Sequence, residues 1–163
     1  TYTDMKILII YDSLHGNTKE IAEVIYKGIT YSNKKILPVE RTTTSDLEGV
    51  ELLIVGSPTH GGQPKPTTGD FLKRIPNESL KGVKVSAFDT RMPIEKQSWA
   101  LRMLMRVIGF AAPKIVKILH SKGGEIYIKP EGFLVKDREG PLLFGEDEKA
   151  LKWAKSFKKE KAV

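Results

Sequence analysis

The polar segment 13–18, which reads SLHGNT, combines residue types that bind anions. Ser13 and Thr18 have hydroxyl donors, and Gly16 allows the backbone to approach a ligand closely. The segment lies between a predicted buried strand and a predicted helix, whose first turn has unpaired N–H groups and the positive end of the helix dipole. The sequence therefore predicts an anion site made of neutral donors. The alternative is an ordinary helix cap, since Ser and Thr also cap helices.

The surroundings of this segment narrow the kind of anion. No Lys or Arg lies between Asp12 and Thr18, and the pattern G-x-x-x-x-G-K-[ST] of nucleoside-triphosphate loops is absent. The pattern G-x-G-x-x-G, which binds a dinucleotide pyrophosphate, is absent there too. A phosphate monoester is therefore the favoured ligand.

A second unusual segment, 57–66, follows another apolar run and reads SPTHGGQPKP. Its His60, together with His15, Asp12 and Asp89, could ligate a metal, but neither H-x-H nor H-x-x-x-H spacing is present, so no metal site is predicted. The neighbours Asp12, Ser13 and His15 cannot form a hydrolase triad within one tight loop, and G-x-S-x-G is absent. The absence of cysteine excludes thiol catalysis, disulfides and iron–sulfur ligation.

Alternating elements are predicted around these segments. Short apolar runs predict strands at 5–11, 35–41, 51–56, 83–88 and 125–128, the last with a possible extension at 133–136. Helical periodicity predicts helices at 18 to about 28, 68–75, 93–123 (two helices, broken at 109–113) and 146–159. This alternation predicts an α/β fold: a doubly wound five-stranded parallel sheet of order 2-1-3-4-5 with helices on both faces. The loops after Tyr11 and Gly56 then lie side by side at the reversal of winding, where such folds bind ligands.

Length and composition fit one domain over residues 1–163. No apolar run approaches the roughly 20 residues of a membrane span, and the start of the chain lacks a basic leader, so we expect a cytoplasmic protein without a membrane partner. The net charge of +7 is uneven: residues 1–80 carry 9 basic and 10 acidic residues, and residues 81–163 carry 18 and 10. A solvated lysine-rich helix explains the basic end best, and an acidic or nucleic-acid partner is the alternative.

The two loops resemble those of the flavodoxin family. Ser13, Gly16 and Thr18 match its phosphate loop [ST]-x-[ST]-G-x-T, while His15 replaces a hydroxyl residue. Residues 59–61 (THG) stand where T-W-G is common, and residues 88–91 (FDTR) stand where the third flavin-contacting loop lies. Segments 131–133 and 139–142 are also similar to the end of flavodoxin domains, so the resemblance covers essentially the whole chain.

The resemblance implies bound FMN. Its phosphate is then expected on Ser13, His15, Gly16, Asn17 and Thr18. Its isoalloxazine ring is expected between Pro58, Thr59, His60, Gly61 and Gly62 on one side and Asp89, Thr90 and Arg91 on the other. His60 takes the place of a bulky indole, so Trp99 from the following helix is a candidate cover for the ring. The alternative for Trp99 is packing in the core or between helices.

The resemblance also implies electron transfer between redox partner proteins. Flavodoxins tend to be acidic, whereas the second half of this chain is basic, so its partner or its activity is expected to differ; an acidic partner is one option. The alternative is an NAD(P)H-dependent quinone or FMN reductase of the same fold, an oxidoreductase that usually forms homodimers or larger assemblies. Segment 91–113 could supply an interface or a substrate cover, but a helix packed on the sheet is favoured. A non-redox nucleic-acid-binding module is disfavoured because no RNP, KH or zinc signature is present.

Overall fold

The computed structural model describes residues 4–158, which form a sheet covered by helices. The strands are β1 (Ile7–Tyr11), β2 (Lys34–Pro38), β3 (Leu52–His60), β4 (Gln63–Pro64), β5 (Lys84–Arg91), β6 (Glu125–Ile126) and β7 (Glu131–Leu134). The helices are α1 (Asn17–Gly28), α2 (Pro66–Arg74), α3 (Trp99–Ile108), α4 (Ala111–Ser121) and α5 (Glu146–Lys155). One-turn 3-10 helices occur at 39–41, 44–47 and 94–96.

The main path of the sheet runs β2-β1-β3-β5-β6, with parallel pairing throughout. The short β4 pairs antiparallel with β3, and β7 pairs parallel with β5 beyond β6. Without β4, this is the predicted order 2-1-3-4-5, in which the fifth strand is split into β6 and β7. The predicted doubly wound fold is therefore confirmed, and its winding reverses between β1 and β3.

Two apolar cores cover the two faces of the sheet. Along β1, Leu8 and Ile10 face the core shared with α2 and α4, whereas Ile7 and Ile9 face the core shared with α1 and α5. This alternation of a strand buried on both faces explains why the β1 run is almost wholly apolar. At Gly28, α1 and α5 approach so closely that an added Cβ would lie 2.8 Å from the Cβ of Ala154.

Most element boundaries follow the predictions, with differences at the ends. The predicted strand 35–41 stops at Pro38 and continues as a 3-10 turn. Both β3 and β5 run beyond their apolar segments, to His60 and Arg91, because they pair with each other there and β4 pairs with the end of β3. The closing helix ends at Lys155, short of its predicted end at residue 159, which lies outside the described residues, as do residues 1–3.

The helix α3 departs from the sequence prediction. We expected segment 91–113 to contain a helix packed on the sheet, but none of the residues 99–108 is buried. The following helix, α4, takes that position and buries Ala111, Ala112, Ile115 and Leu119. The prediction for α3 is wrong because helical periodicity does not show which surface the apolar face contacts.

Candidate cofactor site

The carboxyl ends of β1, β3 and β5 meet at one edge of the sheet, where a cavity of about 570 Å³ opens. From the first loop, Ser13, His15, Asn17 and Thr18 line it; from the second, Pro58, Thr59, His60, Gly61 and Gly62; and from the third, Thr90 and Arg91. The predicted convergence of the loops at the winding reversal is therefore present. The other three predicted residues, Gly16, Asp89 and Trp99, are not part of the cavity lining.

The first loop forms a tight turn into α1. Gly16 precedes the helix with φ of 92°, a conformation that favours glycine. The Ser13 hydroxyl oxygen accepts hydrogen bonds from the N–H groups of Gly16 (3.1 Å) and Lys19 (3.3 Å). The first N–H groups of a helix have no partner within it, so this turn presents donors and the positive end of the α1 dipole at the cavity. This arrangement can bind an anion.

Two buried hydroxyl groups connect the first loop to the third. The oxygens Oγ1 of Thr18 and Thr90 lie 2.8 Å apart in a hydrogen bond, and both residues are buried. The bond fixes the start of α1 against the end of β5. Each hydroxyl retains hydrogen-bonding capacity toward the cavity that both residues line.

Beneath the first loop, the buried Asp12 carboxylate is surrounded by donors. Lys65 Nζ lies 2.7 Å from its Oδ1, Thr68 Oγ1 lies 2.8 Å from its Oδ2, and the Thr67 hydroxyl donates to the same Oδ2. Burial raises the pKa of Asp12. The hydrogen bonds from Lys65, Thr67 and Thr68 and the charge of Lys65 together lower it by more, so the net pKa is below its usual value. The network fastens the end of β1 to the start of α2.

The second loop is a two-residue hairpin between β3 and β4. Gly61 and Gly62 form its turn with φ of 56° and 78°, as a type I′ hairpin requires. The hairpin is attached to the region after α3: Thr59 Oγ1 accepts from the Ala111 N–H at 3.0 Å, and Lys114 Nζ donates to the Gly62 carbonyl at 2.6 Å. These bonds hold the second loop at the cavity.

In the third loop, Asp89 positions Arg91. The fully buried Asp89 carboxylate accepts from Arg91 Nε and Nη2, both at 2.7 Å, and from the Ala112 N–H at 2.8 Å. The Arg91 guanidinium also lies 3.7 Å from the ring centroid of Phe110, a cation–π contact. These bonds fix the guanidinium of Arg91, which lines the cavity as a positive group. Asp89 does not line the cavity itself and contributes by holding Arg91 in place.

The cavity has a positive electrostatic character. Among the described residues, its lining contains two cations, Arg91 and Arg138, and no Asp or Glu. Burial lowers the pKa of His60, and the nearby charges of Arg138, Lys65 and His15 lower it further against the opposing charge of Asp12. His60 is therefore neutral at pH 7. Residues 4–158 contain no group of three or more His, Asp or Glu that could hold a metal ion.

The sequence analysis considered segment 91–113 as a substrate cover but favoured packing on the sheet, so it did not assign one wall of the cavity. Leu101, Leu104, Met105 and Ile108 of α3 line it, and their spacing i, i+3, i+4, i+7 was the available signal. Leu14, Met92, Gly109, Phe110, Val135 and Arg138 complete the lining. Arg138 gave no signal, because it lies more than 100 residues from the first loop in sequence.

The position of Trp99 differs from both of its predicted roles. It is 71% exposed at the start of α3, so it neither packs in the core nor between helices. It also does not line the cavity, so this structure does not bring it to the expected flavin position.

Comparisons with known proteins identify relatives of this fold. A family model described as Flavodoxin domain matches residues 8–115. A protein of Aquifex aeolicus (strain VF5) named Flavodoxin is 37% identical over 60 residues, which are 35% of this chain. The match spans about a third of that curated relative's length (32%).

Two solved structures cover nearly the whole chain. Oxidised flavodoxin 1 from Bacillus cereus has a TM-score of 0.69 and 18% identity, with 91% of this chain and 93% of that chain covered. A flavodoxin from the domain Archaea has a TM-score of 0.68 and 18% identity, with 93% and 95% covered. At these identities the structural likeness shows a shared fold. None of the helices within residues 4–158 has the length and apolarity needed to cross a membrane.

Proposed function

Because this chain belongs to the flavodoxin family, whose cofactor is FMN, we propose that it holds FMN in the cavity and carries electrons between redox partner proteins. The observation that carries the proposal is the anion-binding turn at the start of α1, which opens into a cavity bounded by the second and third loops. Bound FMN would supply the reversible uptake and release of electrons, which the polypeptide cannot perform itself.

The residues present fit this cofactor in size and charge. A volume of about 570 Å³ lies within the range of about 300–1,000 Å³ that is typical of small-molecule sites. The N–H groups of the first turn, with the hydroxyls of Ser13 and Thr18, would bind the phosphate. The lining contains no carboxylate among the described residues to repel a phosphate dianion, and Arg138 adds a positive charge near His15 and His60.

The second and third loops would hold the ring. The hairpin 58–62 offers backbone N–H and carbonyl groups at Gly61 and Gly62, and the Asp89–Arg91 pair keeps a guanidinium at the cavity. A fixed positive charge favours negative charge that develops on a neighbouring ligand. Arg91 would therefore favour electron uptake, and Asp89 would be its positioning residue.

A second candidate function is the NAD(P)H-dependent reductase of a quinone or of FMN. It is favoured by the apolar side chains of α3 at the cavity, which could cover a second substrate ring. Oxidation of NADH or NADPH with a quinone as acceptor separates the two candidates. Steady turnover with either nucleotide would favour the reductase, and its absence would favour the carrier.

Titration of the protein with FMN and with riboflavin tests the cofactor proposal. We expect FMN to bind at least about tenfold more tightly than riboflavin, because only FMN has the phosphate that the first turn would bind. Calorimetry or quenching of flavin fluorescence measures both affinities. Equal affinity for the two flavins, or no binding of either, would contradict the proposal.

A matched pair of glycines makes this test specific. Gly16 and Gly145 precede α1 and α5 with φ of 92° and 87°, and an added Cβ meets no atom within 4 Å at either position. Gly16→Ala and Gly145→Ala therefore introduce similar backbone strain, but only the first alters the proposed phosphate turn. We expect the preference for FMN over riboflavin to fall in Gly16→Ala and to remain in Gly145→Ala.

A further inference from the structure

Helix α3 exposes most of the large apolar side chains that the protein presents to solvent. Among the described residues, ten large hydrophobic residues are exposed, and six of them belong to α3 while two more, Leu14 and Met92, line the cavity beside it. A contiguous exposed apolar surface of this kind marks an interaction site in a folded protein. The surface around α3 therefore needs an occupant.

The two faces of α3 have different surroundings. The residues Leu101, Leu104, Met105 and Ile108 line the cavity. A second set of α3 residues recurs at the helical spacing i, i+3, i+4, i+7, i+8 and so lies on one side of the helix. We call this side the outer face of α3; it consists of Trp99, Arg102, Met103, Arg106 and Val107. On this face Trp99 is 71% and Val107 is 83% exposed. Bound FMN would cover only the cavity face, so the outer face would remain exposed.

The composition of the outer face is that of a protein–protein interface. Aromatic residues, Met and Arg are enriched in the cores of interfaces, and Trp and Arg are the commonest energetic hot spots. The outer face carries positive charges at the exposed Arg106 and at the half-buried Arg102, whose Nε is buried, and no acidic residue occurs within 99–108. A partner that places carboxylates opposite the arginines and apolar groups opposite Trp99 is complementary to it.

The charges of the outer face favour an acidic partner over a second copy of the same chain. A symmetric dimer through the outer face would bring the Arg102 and Arg106 groups of two molecules toward each other, in a protein of net charge +7. Like charges at an interface oppose association. Association with an acidic protein is instead favoured, because its carboxylates are attracted to the same arginines.

We propose that the outer face of α3 is the docking surface for an acidic redox protein. The proposal rests on the proposed function, since it names the partner of the same cofactor site. A partner docked there is separated from the cavity by one helix, whose diameter with side chains is about 10–12 Å. Docking at this face thus brings the partner close to the cofactor without requiring it to enter the cavity.

A plant-type ferredoxin, an acidic one-electron carrier, is the probe for this surface. Each reduced ferredoxin is oxidised by one electron, and two of them, with protons from water, reduce one bound FMN completely. We expect ferredoxin to bind the FMN-loaded protein, with affinity falling as salt rises, and cytochrome c, a basic carrier, not to bind. Calorimetry gives the affinity, and hydrogen exchange should show slowed exchange of the amides of 99–108 in the complex.

Charge reversal at the outer face should weaken ferredoxin binding at least about tenfold. The variant is Arg106→Glu, and its control is Lys27→Glu, which changes the net charge by the same two units; both residues are exposed, whereas Arg102 is half-buried and is left unchanged. Lys27 lies in the last turn of α1, at the amino ends of the strands and away from the cavity. Trp99→Ala should weaken binding by a similar factor without altering the charge.

The outcomes separate this inference from the proposed function. If the protein binds no FMN, the proposed function fails first. If FMN binds and ferredoxin associates equally well with the charge-reversal variant and with its control, the docking surface is wrong while the carrier function stands. Concentration-dependent dimers in sedimentation that Trp99→Ala abolishes would also overturn the inference, because a second copy would then occupy the outer face.

Discussion

The cavity at the carboxyl ends of the strands has two walls that are held in different ways. The first wall, formed by residues 12–18 and the start of α1, is attached by buried polar bonds and by an apolar stripe that contains Ile21 and Ile25. The second wall, α3, has no buried residue, and its Ile108 contacts Gly62 of the hairpin. Both helices have an apolar face at helical spacing, yet only α1 places that face against the sheet.

The difference arises from the topology of the sheet. A right-handed connection between two parallel strands needs one helix to cover the sheet face. The connection from β5 to β6 contains two helices, and α4 fills that place with its buried stripe. The additional helix α3 is therefore left at the carboxyl edge, where it can only cover the cavity. Periodicity thus predicts a helix, whereas topology decides what its apolar face contacts.

The largest effect is expected in the first wall. Asp12→Asn should lower the free energy of unfolding by about 3–5 kcal/mol, because it leaves the Lys65 ammonium largely buried without its carboxylate. Urea unfolding measures the loss, and replacing Lys65 with Met in the same variant should recover part of it. On the second wall, Arg106→Met should change stability by less than about 0.5 kcal/mol. A similar loss in both variants would remove the distinction between the walls.

The same carboxylate gives the first wall a dependence on acid. Its pKa is lowered from the usual 3.8 in the folded protein, so the stabilisation is fully present above pH 3.8 and is lost as pH falls through the folded value. The wild type should therefore lose stability more steeply below pH 3.8 than Asp12→Asn does. Parallel curves in that range would show that Asp12 is not the group responsible.

The contrast between the walls also explains what could be predicted from the sequence. The loop 13–18 was predicted because its chemistry is local: hydroxyls, a glycine and a helix start lie within six residues. Arg138 was not predicted, because it reaches the cavity through a distant loop that docks on α1, where Asn17 Nδ2 donates to the Glu139 carbonyl at 3.0 Å. Asp89 was assigned by its position in the third loop and Trp99 as a cover from the following helix, but burial and exposure depend on tertiary packing.

An intermediate effect is expected where the two walls meet, at the hairpin glycines. An added Cβ at Gly62 would lie 2.0 Å from Ile108 Cγ2 and 3.0 Å from the Gly109 carbonyl oxygen, whereas one at Gly61 meets nothing within 4 Å, and both residues have positive φ. Gly61→Ala should cost about 1–2 kcal/mol of strain alone. Gly62→Ala should cost less than about 1 kcal/mol more, because the weakly held α3 can move away, and hydrogen exchange in 99–108 should accelerate at least about tenfold.

The difference in stability between Gly61→Ala and Gly62→Ala depends on how rigidly α3 is held. Forcing an extra group into a well-packed contact costs typically about 1–3 kcal/mol. If Gly62→Ala costs that much more than Gly61→Ala while exchange in α3 stays unchanged, α3 is as firmly held as the first wall. The two walls would then not differ in rigidity at Ile108 and its neighbours.

The smallest effect is expected at Arg138, the cavity residue that is farthest in sequence from the first loop. Arg138→Gln should weaken FMN binding about 3- to 10-fold and leave riboflavin binding unchanged, since an exposed cation contributes modestly to binding a phosphate.

Arg138→Gln should also raise the pKa of His60 toward 6.5 without reaching it, because burial is the largest cause of the lowered pKa and would persist. Proton NMR titration of His60 measures this shift, with Arg106→Gln as the control. If the pKa of His60 responds equally to both variants, Arg138 does not face the cavity as the structure indicates, and the phosphate end consists of neutral donors alone.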